Sequence, residues 1–214
     1  MTTCLEEIER KYGTGQDDGV SPKKYHNRIH TEHVIADTLA IAGLAIESGR
    51  ILPRQQELLH IASAFHDIEQ ETKSYGNEMA SSDIMEEMAS PTDLFNLDEM
   101  LEIREIILGT EIIFVKGVPT QLYAQGELAQ ILADADLAAL GQPIDVYKEN
   151  SENLYDELSN EPESKELSIK TLETSELLLQ NHRYFTPEAE RLFPNQEANL
   201  LFVRSELEKL RSIR

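Results

Sequence analysis

Apolar residues recur along this chain at three- and four-residue intervals, the spacing that puts them on one face of an α-helix. Leu5, Ile8 and Tyr12 form a first short stripe, ended by Gly13 and the polar turn after it. Ser21-Pro22 has the form of an N-cap followed by proline at the first helical position. From there Ile29, Val34, Leu39, Ala42 and Ile46 run to a stop at Gly49, and this second helix is expected to carry His26, His30 and His33. A third helix opens near Pro53 and passes through Leu58, Leu59, Ile61, Ala62 and Phe65 to His66-Asp67; its small, apolar run HIASAFHDI marks it as buried. Helices follow at about 78–88, cut by Ser90-Pro91, and at 98–109, with Leu101, Ile103, Ile106, Ile107 and Leu108. The stretch EIIFVKGVP reads equally as a short extended piece or as the close of the preceding helix. Residues 127–140 predict a helix closed by Gly141, and the last third offers helices near 143–158, 162–182 and 195–212. Short connections, with no low-complexity linker and no internal repeat, favour one all-helical domain over 1–214, with a core at about 22–141 and a C-terminal helical part at about 142–214.

Composition narrows the partners. The 214 residues include 19 Lys+Arg against 40 Asp+Glu, a formal charge of −21. Such a surface repels nucleic-acid backbones and anionic membranes, and no Lys/Arg cluster offers a local footprint for either. An anionic small molecule remains compatible, because a bound dication dominates the field in its own pocket. One cysteine, Cys4, sits among polar residues near the start; it excludes an internal disulfide framework and fits a reducing compartment. The opening MTTCLEEIERKYG lacks the basic region and apolar run of a signal peptide, and no stretch reaches the eighteen or so apolar residues of a membrane span. A cytoplasmic protein is the expectation.

Candidate chemistry lies in three separated stretches: His26 and His30 in YHNRIH, His66-Asp67 in AFHD, and Asp134 and Asp136 in LADADLAALG. Together they offer imidazoles and carboxylates, the mixed nitrogen and oxygen donors that hold a borderline divalent metal, and ligands on separate helices suit a bundle-core site. A helix with several solvated polar histidines has the His26/His30 spacing without any metal. YHNRIH is also not a zincin site, since HNRIH lacks the glutamate of HExxH. His66-Asp67 ends an apolar segment, where ionisable groups are costly unless paired or coordinated; a core histidine beside a capping aspartate is the plain alternative. Asp134 and Asp136 interrupt a helix of leucine and alanine and face different sides, so one is expected to ligate, while the other could receive the Nδ1–H of a ligating histidine. Glu69, Glu71, Lys73 and Glu78 lie on or near the turn after the His-Asp pair, either as charged loop surface or facing a substrate, where Lys73 could hold a phosphate and Glu78 could order a water. His60 reads as a core or surface histidine, and His182 as a distant one.

With these residues in view, the chain resembles the HD-domain metal-dependent phosphohydrolases, whose pattern H…HD…D is met here by His30, His66-Asp67 and Asp136. The resemblance favours Asp136 over Asp134, because the ligating aspartate of that superfamily stands in a similar Ala-Asp-Leu context. YHNRIH is also similar to a cyclic nucleotide phosphodiesterase segment, which implies metal binding by His30 and protonation of the leaving oxygen by His26. Small bacterial HD proteins of similar size share the FHD segment, an Asn-Glu with a following serine (Asn77-Glu78 and Ser81), DADLAALG, and a tail like YFTPEAERLF. The resemblance covers about residues 20–212 and implies an HD-domain helical bundle. The chain departs from the stringent-response nucleotide hydrolases, which place Glu-Asp after the pair where Gln70-Glu71 stand here. No histidine occurs in 105–125, so one ion rather than two is expected.

The chemistry implied is hydrolysis of a small phosphate ester or nucleotide. An ion held by His30, His66, Asp67 and Asp136 would lower the pKa of a bound water and neutralise a phosphoryl oxygen. Asp67 or Glu78 would help to remove the proton, and His26 would protonate the leaving group, a task for a side chain that titrates near neutrality. The donor set suits Mn²⁺, Fe²⁺, Co²⁺ or Ni²⁺, with Mg²⁺ or Zn²⁺ also possible. Two other readings stay open: a regulatory helical domain that keeps the metal as a staple or senses a nucleotide, and an iron oxygenase, against which the missing extra histidines count.

Overall fold

The computed structural model describes residues 2–13, 22–71, 76–92, 94–121, 123–158 and 165–212; Ser21 and Lys73 lie outside them. Its elements run α1 (Thr2–Tyr12), α2 (Arg28–Glu47), α3 (Pro53–Phe65), α4 (Asn77–Ala89), α5 (Leu97–Leu108), a hairpin of β1 (Ile113–Val115) and β2 (Val118–Thr120), α6 (Glu127–Asp136), α7 (Ile144–Leu158), α8 (Lys165–Asn181), α9 (Pro187–Leu192) and α10 (Gln196–Ser212). The architecture is an all-α bundle with one two-stranded ribbon.

The main core lies where α2, α3, α5 and α6 pack on one another. Ile41, Leu58, Leu59, Ile103, Ile107, Ile131 and Leu132 fill it, all fully buried. Burying side chains of this size yields about 1.5–3 kcal/mol each, which is why these helices rather than the acidic outer ones set the positions of the site residues. Cys4 belongs to this core. It is fully buried, and its Sγ–H donates to the Ala64 carbonyl at 3.0 Å, which docks α1 on α3. The polar sequence around it misrepresents its setting, because Cys4 lies on the inner face with Ile8 and Tyr12. A second apolar cluster, Leu140, Tyr147, Leu179, Val203 and Leu207, joins α7, α8 and α10. Gly141 ties the two together: a Cβ there would come 2.1 Å from the Phe193 carbonyl oxygen, so only glycine admits this approach.

Three local expectations change. α2 does not start at Pro22. Its N-cap is Asn27, whose Oδ1 accepts from the Ile29 and His30 amides at 2.9 and 3.3 Å, so His26 precedes the helix instead of sharing its face with His30. EIIFVKGVP forms the hairpin, because Lys116 and Gly117 both take positive φ (53° and 84°), the backbone of a two-residue turn that matches strand twist. α2 is also long and apolar enough by composition to cross a membrane, contrary to the run-length reading; its inner face carries Val34, Ile41, Ala42 and Ala45 into the core against α3 and α6.

Candidate metal centre

His30 enters the site from the first turn of α2, and Asp136 from the last residue of α6. His66 and Asp67 follow the last residue of α3, Phe65. His66 keeps helical backbone angles (φ −53°, ψ −36°), and the two adjacent side chains flank one point. His30 Nε2 lies 3.3 Å from Asp67 Oδ2 and 3.4 Å from Asp136 Oδ1, and His66 Nε2 stands at the same two distances from the same two oxygens. The four donor atoms lie within 4.8 Å of one another, and they are the one such group of His, Cys, Asp and Glu side chains among the described residues.

The donors fit an ion. Both Nε2 atoms are buried and have no hydrogen-bond partner, although carboxylate oxygens surround them. An orphaned buried nitrogen is costly unless something else occupies its lone pair. His66 Nδ1 lies 2.8 Å from the Ser63 carbonyl, which only accepts, so Nδ1 carries the proton and the Nε2 lone pair faces the carboxylates. Ligands about 2.1 Å from a shared ion would stand about 3.0–3.4 Å from one another, the separation found here. Asp67 is steadied by Gln70, whose Nε2 donates to its Oδ1 at 2.8 Å, and Gln70 in turn accepts from Asn77 at 3.4 Å.

Charge in the ring is coupled to protons. Burial alone would lower the His30 and His66 pKa values, but Asp67 and Asp136 outweigh it and raise both, His66 most. Burial would likewise raise Asp67 and Asp136, yet the imidazoles hold both carboxyls below the usual range. In the metal-free protein the histidines therefore contribute stability below the ordinary imidazole pKa and lose it as pH rises through their raised values. The aspartates contribute above the ordinary carboxylate pKa and lose it as pH falls through their lowered ones. The ring's own contribution to the stability of the metal-free protein is therefore largest between about pH 4 and 6.5. A divalent ion must displace imidazole protons, so its apparent affinity should rise about tenfold or more per pH unit across the neutral range. Calorimetric titration at several pH values checks this; an affinity independent of pH would contradict it.

The other sequence candidates are placed as follows. Asp134 is fully buried and turned away from the ring. Its Oδ1 accepts from the Phe185 amide at 2.8 Å, and its Oδ2 accepts from the amide and hydroxyl of Thr186 at 2.8 and 2.6 Å. It holds the N-cap of α9, so it receives no ligating histidine's proton; that role falls to the Ser63 carbonyl. His26 stands beside His30, ring centroids 5.8 Å apart, with Tyr25 stacked 4.6 Å from His30. Glu78, in the first turn of α4, has its carboxyl raised by burial and then by Asp67, Glu111 and Asp136, which sets it at the edge of the ring's field. Glu69 is a loop staple, its Oε1 accepting from the Gln70 and Glu71 amides at 2.9 and 2.8 Å and its Oε2 from Lys11 at 3.0 Å. His60 stands half-buried on α3, and buried His182 lines a different cleft with Gln121 and Phe185.

Sequence reasoning missed Glu157, on α7. Its Oε1 lies 2.6 Å from His26 Nδ1, and its Oε2 accepts from the Tyr25 and His26 amides at 2.8 and 2.9 Å. Since a carboxylate only accepts, His26 Nδ1 carries the proton. Burial would raise Glu157, but these bonds and the nearby His26 hold it down at about 2. Nothing in its acidic stretch, NLYDEL, distinguishes it from a solvated surface. Two clefts flank the ring: one of about 280 Å³ is lined by Tyr25, His30, His33, Asp37 and Asp136 among others, and one of about 170 Å³ by Tyr25, His26, Asp136 and Asn150. The structure thus holds a His₂Asp₂ group able to coordinate a divalent ion in an all-α bundle, open to a cleft on either side of Asp136. Compared with known families and with curated proteins, the chain matches no family model and no curated protein.

Proposed function

We propose that this chain is a metal-dependent phosphohydrolase acting on a small phosphate ester or nucleotide, with an HD-type arrangement of its ligands. The observation that carries the reading is the pair of buried, unpartnered Nε2 atoms facing two carboxylates, with His30 and Asp136 of that group lining an open cleft. A staple would have no need of that opening. His30, His66, Asp67 and Asp136 would hold one ion, for which Mn²⁺, Fe²⁺, Co²⁺ or Ni²⁺ suit two nitrogen donors better than Mg²⁺, with Zn²⁺ also admissible. When bound, such an ion supplies Lewis acidity, lowering the pKa of a water and drawing charge from a phosphoryl oxygen.

The chain's own residues supply the proton chemistry. Glu78, raised by burial and then by its acidic neighbours, is suited to take a proton from the attacking water, and Asp67 is the other candidate for that task. His26 lines the smaller cleft beside Asp136, and with Nδ1 committed to Glu157 it offers Nε2 to the leaving oxygen. Attack on phosphorus breaks the ester P–O bond, the departing alkoxide takes the His26 proton, and solvent restores it. Glu157 is a positioning residue that fixes the ring. Lys73, outside the described residues, remains a candidate phosphate contact.

His26→Ala is expected to lower kcat about 10²-fold. Glu157→Gln should lower it about tenfold with KM within about twofold, because the ring that meets the leaving oxygen loses the carboxylate that anchors its Nδ1. A rise in KM as large as the fall in kcat would reduce Glu157 to a structural contact. The reading itself is tested by reloading metal-free protein with each ion and assaying phosphate release from phosphomonoesters, nucleotides and cyclic nucleotides, with Asp67→Ala as control. Metal-dependent turnover lost in the variant supports it. Stoichiometric metal without turnover on any ester would overturn it in favour of a regulatory domain.

A further inference from the structure

We infer that the clefts flanking Asp136 select a monophosphate ester of a neutral, hydroxyl-bearing alcohol, with Asp37, Gln142 and Asn150 reading the alcohol. This rests on the hydrolase reading above and narrows its substrate. Among the described residues, no lysine or arginine lines either cleft. Lys23, which bonds to the same glutamate as His26, is already neutralised, 3.0 Å from Glu71 and 3.8 Å from Glu157. A bound dication would balance Asp67 and Asp136, leaving Asp37 as further negative charge in the lining. Each added phosphate would bring another negative charge into a lining whose described residues hold no guanidinium or ammonium to meet it. One phosphoryl group can be met by the ion and His26, with Lys73 the further candidate contact named above; the described lining offers no other cation to a second or third.

The remaining lining suits an uncharged polar group. Asp37 lies seven residues after His30, on the same face of α2, and lines the larger cleft together with Gln142. Burial pushes the Asp37 carboxyl up to about 6 and Gln142 offsets only part of that, so a donor from a hydroxyl would be welcome there. Asn150 lines both clefts, with Val34, Ala36, Ala139 and Val146 making the apolar wall of the larger. Volumes of about 280 and 170 Å³ fall below the range of about 300–1,000 Å³ typical of drug-sized ligand pockets, which favours a small alcohol.

Mn²⁺-loaded protein would be assayed with ribose 5-phosphate, phenyl phosphate and ATP. We expect kcat/KM for ribose 5-phosphate to exceed that for ATP by about tenfold or more. Asp37→Asn should raise KM for ribose 5-phosphate about tenfold, the loss of a charge-assisted hydrogen bond, while leaving phenyl phosphate within about twofold. Equal or better use of ATP, or an equal effect of the variant on both esters, would overturn the inference. The rise in melting temperature caused by ribose 5-phosphate gives a second readout. If no ester is hydrolysed, the hydrolase reading fails, yet a shift removed by Asp37→Asn still supports selection, and no shift overturns it.

Discussion

Asp67→Ala is expected to reduce metal-dependent phosphate release by about 10³-fold or more, because the several kcal/mol that a bound ion contributes to the transition state are lost with it. Asp67 Oδ2 stands 3.3 Å from both imidazole nitrogens, and of the four ligands only Asp136 shares that position. Its loss leaves His30 and His66 with one carboxylate between them and frees Gln70 from its acceptor. The effect should appear in kcat/KM for every ester the wild type hydrolyses. Asp98→Ala, an exposed position on the first turn of α5 that lines neither cleft, should leave rates unchanged. Turnover by Asp67→Ala within tenfold of wild type, at equal metal content, would contradict this.

The second large effect concerns stability. Asp134→Ala strands three donors, the amides of Phe185 and Thr186 and the Thr186 hydroxyl, of which both Thr186 donors are buried. Leaving buried donors without an acceptor costs about 1–3 kcal/mol apiece, so a loss of about 3–5 kcal/mol is expected for the group. For a chain of this size that corresponds to roughly 6–20 °C in Tm. Asp136→Asn should behave in the opposite way, keeping the metal-free Tm within a few degrees while losing metal affinity. Thermal melts of the two variants side by side separate the roles of aspartates only two positions apart. Equal destabilisation by both would contradict the assignment.

Much of this was legible because helical periodicity records which face is buried. α3 and α6 show it best: HIASAFHDI and LADADLAAL are apolar enough that the ionisable residues within them, His66, Asp67, Asp134 and Asp136, stand out as needing partners. The choice between Asp134 and Asp136 was not legible from periodicity. Both face inward on a helix buried nearly all round, and only the tertiary position of Phe185 and Thr186 separates them. His26 was misplaced because Pro22 resembles a helix start, while the side chain that caps α2 is Asn27, inside the histidine motif itself. Glu157 left no local signal at all: its partner is 131 residues away, and one glutamate among 40 acidic residues looks like solvated surface until α7 folds against the segment before α2. The hairpin was half legible, since VKGV permits a two-residue turn but three-residue strands are too short to show alternation.

The account stands on four side chains holding one ion. Metal-free protein would be titrated with Mn²⁺ and free ion read by its electron paramagnetic resonance signal, for the wild type and for His30→Ala, His66→Ala, Asp67→Ala, Asp136→Ala and Asp134→Asn. One tightly bound ion per chain in the wild type and in Asp134→Asn, with binding weakened at least about 100-fold in each of the other four, is the predicted result. Undiminished binding in any of those four, or none in the wild type, would contradict it.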